Sequence, residues 1–134
     1  MNEDARNEQK KMGIGRFIRS FGYSLDGIKY AFRYEQSMFV HILATILVVI
    51  FGIFFKLNLF EWIMCLLVIG LVTATEMINT SIEAVVDLSC PEVHPLAKIA
   101  KDTASAAVFI FAITALICGL LIFGPKIITF ITTL

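Results

Sequence analysis

Several features are scarce in this 134-residue sequence, and each scarcity removes a class of protein. Cysteine occurs three times, as Cys65, Cys90 and Cys118. The number is odd, the spacing is not that of metal ligands, and two of the three sit in apolar runs where Cys packs as a small hydrophobe, so no disulfide is expected. The formal net charge is zero, which does not favour a nucleic-acid partner. No short apolar core with a cleavage site follows the polar start, so a removable signal peptide is not expected. There is no G-x-x-x-x-G-K-[ST] loop, no Gly-rich loop followed by H-R-D and no Rossmann fingerprint. Conventional soluble nucleotide-binding folds and Ser-His-Asp hydrolases are thereby excluded. No internal repeat, low-complexity tract or dividing linker is visible, and the length suits one domain.

Apolar residues, by contrast, are abundant. They make up 58% of the chain, with 12 Phe and a mean hydropathy of +0.85, more than a soluble domain of this size can hide. Most of that surface must face lipid, and any active site must be built from membrane helices and their connections. The expected fold is all-α and integral to the membrane. Residues 1–12 read as a disordered polar tail. Over residues 14–34, Ile14, Phe17, Ile18, Phe21, Leu25, Ile28 and Phe32 recur at steps of three and four, while Arg16, Arg19, Asp26, Lys29 and Arg33 take other faces. That is the pattern of an amphipathic helix lying in the interface.

Three spans follow, at 39–55, 62–88 and 96–123. The first is close to the minimum of roughly 17 residues for a hydrocarbon core of about 30 Å. Trp62 begins the second at an interface. Pro91 and Pro95 break the chain before the third, which Gly124 and Pro125 are expected to stop. Seven of the eleven basic residues precede the first span, and Lys98 and Lys101 lie at the second connection, against Lys56 alone at the first. The positive-inside rule then puts the N-terminus in the cytoplasm and the C-terminus outside.

The second span carries Glu76, Asn79, Thr80, Glu83 and Asp87. On a helical wheel these fall within an arc of roughly 100°. Each acid at membrane depth costs about 2.5 to 3.5 kcal/mol, so the stripe must face protein, water or a cation. Three readings compete. The stripe can be helix-packing glue in a scaffold, a cation pathway of a small cation-coupled transporter, or a site for phosphoryl transfer to a lipid alcohol. The third draws support from Lys98, Lys101, Asp102 and Ser105, which share an arc of about 100° at the cytoplasmic end of the third span, where ATP arrives. Such a transfer needs Mg²⁺ and a lysine to neutralise the triphosphate, and a carboxylate to take the hydroxyl proton. Glu35 and Glu83 are candidates for the metal if the interfacial helix folds back beside the second span. Glu76, about 10 Å along the axis from Glu83, is suited to meet a hydroxyl at the interface.

The runs Glu76-Met-Ile-Asn79-Thr-Ser-Ile-Glu83-Ala-Val-Val-Asp87, Pro91-Glu92-Val93-His94-Pro95-Leu96-Ala97-Lys98 and Ala100-Lys101-Asp102-Thr-Ala-Ser105, with Gly22-Tyr23-Ser24 and Glu35, resemble the prokaryotic diacylglycerol kinase family. Undecaprenol kinases belong to that family. The resemblance implies a homotrimer of three-span subunits that phosphorylates a membrane lipid alcohol with ATP and Mg²⁺. It implies Glu76 as general base, Glu35 and Glu83 on Mg²⁺, and Arg16, Tyr23, Glu35, Glu83, Glu92, His94, Lys101 and Asp102 around ATP. Asn79, Asp87 and Ser105, along with Glu76, match substrate-side or supporting positions. Val93 departs from an aromatic that some members carry. The phrase Pro-Glu-Val-His-Pro-Leu-Ala-Lys leans toward the undecaprenol branch of Gram-positive bacteria, with diacylglycerol as the alternative acceptor.

Overall fold

Four helices make up the computed structural model, which describes residues 13–133: α1 (Ile14–Tyr34), α2 (Gln36–Phe54), α3 (Leu59–Ser89) and α4 (Pro95–Thr132). The expected tail at 1–12 lies outside the described residues. The chain divides into two compact units, Met1–Tyr34 and Glu35–Leu134.

In the first unit, α1 keeps its large apolar side chains exposed, Ile14, Phe17, Ile18, Phe21, Leu25 and Phe32 among them. Ser20 and Ser24 hydroxyls donate back to the carbonyls of Arg16 and Ser20, both at 3.0 Å, so polar side chains are absorbed by the helix itself.

The second unit is three helices long and apolar enough to cross a membrane. The 19 residues of α2 give it a length of about 28 Å, near the thickness of a bilayer core. It closes in a tight turn in which Leu57 N–H donates to Gly52 O (2.9 Å) and Lys56 N–H to Ile53 O (3.2 Å). This is the Schellman pattern, with Lys56 in the left-handed conformation at φ 52° and Leu57 buried beneath it. Asn58 then caps α3. Its Oδ1 accepts from Glu61 N–H (2.9 Å), and its own N–H donates to Glu61 Oε2 (2.8 Å), satisfying two backbone donors reciprocally.

Helix α3, with 31 residues, is about 46 Å long and overshoots a core of about 30 Å. With Trp62 at one membrane interface, Glu76 sits about 21 Å in, whereas Glu83 and Asp87 lie about 31 Å and 38 Å in, at or past the opposite boundary. The stripe is therefore not uniformly intramembrane. Glu76 alone is deep, and it is the only buried charged residue among the described residues.

The two long helices run antiparallel, pinned near one end by Lys126 Nζ to Glu61 Oε1 at 3.0 Å and near the other by Lys101 Nζ to Asp87 Oδ1 at 2.5 Å. Between α2 and α3 the outer contact is Gly52 against Trp62. A Cβ at Gly52 would come within 2.5 Å of the indole ring, so only glycine allows this approach. At the same end α2 and α4 meet through Phe51, Phe54, Phe55, Phe123 and Phe130. Phe54 and Phe130 stand edge-to-face with centroids 5.5 Å apart. The expected stop at Phe123 is not observed: α4 continues through Pro125 to Thr132. Pro125 forfeits one backbone bond, yet the turns beyond it are fastened to neighbours by Lys126 and Phe130. The Thr129 hydroxyl also donates to Pro125 O at 2.9 Å, the i−4 return of a hydroxyl in apolar surroundings.

Away from the Phe cluster, α2, α3 and α4 enclose an apolar cleft of about 470 Å³, lined by Val48, Val68, Val72, Leu116 and Ile122, with His41 near its inner end. Most large hydrophobics of the spans face outward, the reverse of a soluble domain and what lipid as solvent requires.

Candidate active site

The acidic face of α3 becomes a site because α2 covers only part of it. Glu76 is 7% exposed, and both of its oxygens have neighbours on α2. The Ser37 hydroxyl donates to Oε1 in a short hydrogen bond, and His41 Nε2 lies 3.8 Å from Oε2. Burial of a carboxylate without partners would be costly, so these two side chains are what allow it there. Within α3, the Thr80 hydroxyl folds back onto Glu76 O at 3.2 Å.

One turn further along α3, Asn79 Nδ2 donates to Glu83 Oε1 at 2.9 Å, while the Asn79 Oδ1 is buried with no partner. A sealed carbonyl oxygen beside a carboxylate is a hard-oxygen pair, the donor type Mg²⁺ takes. Among the described residues no three His, Cys, Asp or Glu side chains gather as a metal cluster. These residues fit a cation held by one or two carboxylates whose remaining positions are filled by phosphate oxygens and water, the usual arrangement for Mg²⁺.

Glu35 occupies the extended break before α2 (φ −97°, ψ 115°), and its side chain does not cap the helix. By the register that Ser37–Glu76 and Gly52–Trp62 set, it stands level with Ile78–Asn79, about 7 Å short of Glu83 along the axis. At the start of α4, Lys101 pairs with Asp87 and Lys98 pairs with Asp102. Both pairs are largely exposed, so each is worth about 0 to 1 kcal/mol and is readily exchanged for a phosphate. His94 is the N-cap of α4, its Nδ1 accepting from Leu96 N–H at 3.2 Å. Glu92, Val93 and Ser105 are exposed. Arg16 and Tyr23 lie on α1, in the other compact unit.

Thus Glu76, Asn79 and Glu83 share one face, and Asp87, Lys98, Lys101 and Asp102 form two ion pairs across and along the mouth of the α3–α4 hairpin. Two residues at the centre were not anticipated. Neither Ser37 nor His41 is among the site residues expected from the sequence. Their signal is present in the sequence: Ser37, His41 and Thr45 recur every four residues along an otherwise apolar helix.

The sequence profile of prokaryotic diacylglycerol kinase matches residues 22–123, a stretch containing every residue of this face. The chain belongs to the prokaryotic diacylglycerol kinase family. Among its relatives, the undecaprenol kinase of Bacillus subtilis is 41% identical over 94% of this chain and 98% of that protein. The diacylglycerol kinases of Helicobacter pylori (strain 26695) and Escherichia coli K12 are 36% and 34% identical, over 73% and 78% of this chain and 77% and 86% of theirs. Membership makes the protein a membrane lipid kinase, not a transporter or a scaffold, and its sequence has none of the standard nucleotide loops.

Proposed function

We propose that this kinase transfers the γ-phosphate of ATP to the hydroxyl of undecaprenol, with Glu76 as general base. The observation that carries the assignment of the base is the burial of Glu76 beside His41, which lines one end of an apolar cleft, with Ser37 bonded to one carboxylate oxygen and His41 facing the other. A lipid chain lying in the cleft would bring its terminal hydroxyl toward that carboxylate. The choice of undecaprenol over diacylglycerol rests on likeness to the Bacillus subtilis enzyme across nearly the whole of both chains.

In this mechanism Glu76 accepts the hydroxyl proton as the lipid oxygen attacks the γ-phosphorus in line and ADP leaves. Glu83, the Asn79 oxygen and Glu35 would hold Mg²⁺, which when bound neutralises the charge of the triphosphate. Lys101 would release Asp87 and turn to a phosphate. Asp102, Glu92 and His94 would surround the nucleotide, and Asp87 and Ser105 would support the acceptor side. The chain would act as one membrane domain, with α1 lying amphipathically in the inner interface and three subunits forming the working enzyme. The N-terminus and the nucleotide would be cytoplasmic.

Purified protein incubated with ATP, Mg²⁺ and either undecaprenol or diacylglycerol, followed by detection of the phosphorylated lipid, tests the acceptor. Undecaprenyl phosphate should form faster at equal lipid content. Phosphatidic acid as the dominant product would overturn the choice of acceptor while leaving the base assignment intact.

A further inference from the structure

His41 is not needed by the reading above, yet it is the side chain placed most tellingly. Its Nε2 is sealed from solvent without a hydrogen-bond partner, 3.8 Å from Glu76 Oε2. At that distance it makes no hydrogen bond, but a closure of about 1 Å would form one, the kind of tightening that catalytic contacts undergo when substrate binds. Ser37 already occupies Oε1. Each carboxylate oxygen has two lone pairs, so Glu76 can be gripped at both oxygens and still receive the lipid proton.

We propose that His41 is a positioning residue for Glu76, donating from Nε2 to Oε2 so that, with Ser37 on Oε1, the carboxylate is fixed in orientation toward the lipid hydroxyl. The inference rests on Glu76 being the base. Its surroundings make His41 the natural lever. Within one turn of Glu76 on α3 the polar neighbours Thr73, Thr75, Asn79 and Thr80 are not ionisable, and Glu83 is two turns away and engaged by Asn79. On α4, the register set by the two ion pairs puts Phe111 and Ala112 at the level of Glu76. Among the described residues no lysine or arginine lies within ion-pair distance of it. Without that donor the carboxylate is held at one oxygen only, so turnover must fall while nucleotide binding does not change.

The test measures kcat and KM for ATP and for undecaprenol in His41→Leu, His41→Gln, Ser37→Ala and Glu76→Gln in mixed micelles. His41→Leu should lower kcat about tenfold with KM for ATP unchanged. His41→Gln, whose amide can donate to the same oxygen, should recover most of that loss. A wild-type kcat in His41→Leu, alongside an inactive Glu76→Gln, would overturn the positioning role alone. So would a slower His41→Leu that Gln does not rescue. Normal turnover in Glu76→Gln would instead remove the base reading and this inference with it. Should His41→Leu fail to fold, Ser37→Ala decides: it must lower kcat with KM for ATP unchanged, and a wild-type kcat overturns the proposal.

Discussion

Replacing Glu76 by glutamine isolates chemistry from architecture, because the structure shows what the amide would meet. The Gln carbonyl can still accept from the Ser37 hydroxyl that now donates to Oε1. The amide N–H₂ would stand where Oε2 is, facing a His41 Nε2 that has no partner today. One hydrogen bond is kept and another becomes possible, so the folded state should lose no more than about 1 kcal/mol. Turnover has no such substitute, since an amide does not take a proton from a lipid alcohol. General-base catalysis contributes about 10²- to 10⁴-fold, or roughly 3 to 5 kcal/mol of barrier. Transfer of labelled γ-phosphate to undecaprenol under single-turnover conditions should fall by that factor, while binding of Mg·ATP, measured calorimetrically, stays close to wild type. Single-turnover transfer within about threefold of wild type would refute the assignment, because a loss of that size is less than 1 kcal/mol.

Further outcomes follow from particular contacts. Asp87→Asn frees Lys101 from its exposed partner, so nucleotide affinity should rise by up to about fivefold, the worth of a surface pair; weaker ATP binding in that variant would mean that Asp87 itself serves the nucleotide. Gly52→Val drives a side chain into the Trp62 ring and should cost about 1 to 3 kcal/mol, visible as a lower thermal midpoint in detergent and partly relieved by Trp62→Leu. Asn58→Ala removes the Oδ1 acceptor for Glu61 N–H at the α3 cap and should cost about 1 kcal/mol, with kcat unchanged because the cap is at the opposite end of α3 from Glu83.

Much of the architecture was legible because lipid imposes strict rules. A chain this apolar with four interrupted periodic runs has few folds open to it, and the order of an amphipathic helix and three apolar helices follows from spacing alone. The acidic stripe was legible for the same reason: side chains repeating at three and four residues share a face wherever the helix goes. The end of α4 was misread because a proline signal is local, whereas the turns after Pro125 are fastened by Lys126 to Glu61 and by Phe130 to Phe54 and Phe55. Such contacts join residues far apart in the chain, and no short window contains them.

By itself, then, the sequence determined which residues could share a helical face, which segments lipid would accept and which family motif the chain carries, all properties of spacing and composition. Tertiary structure decided the depth and company of each acid. Only the crossing of α2 over α3 puts Ser37 and His41 on Glu76, and only the length of α3 carries Glu83 and Asp87 to the boundary while Glu76 stays inside. The reason is geometric: helical periodicity sets the direction of a side chain about its own axis, but what it meets depends on where a second helix crosses.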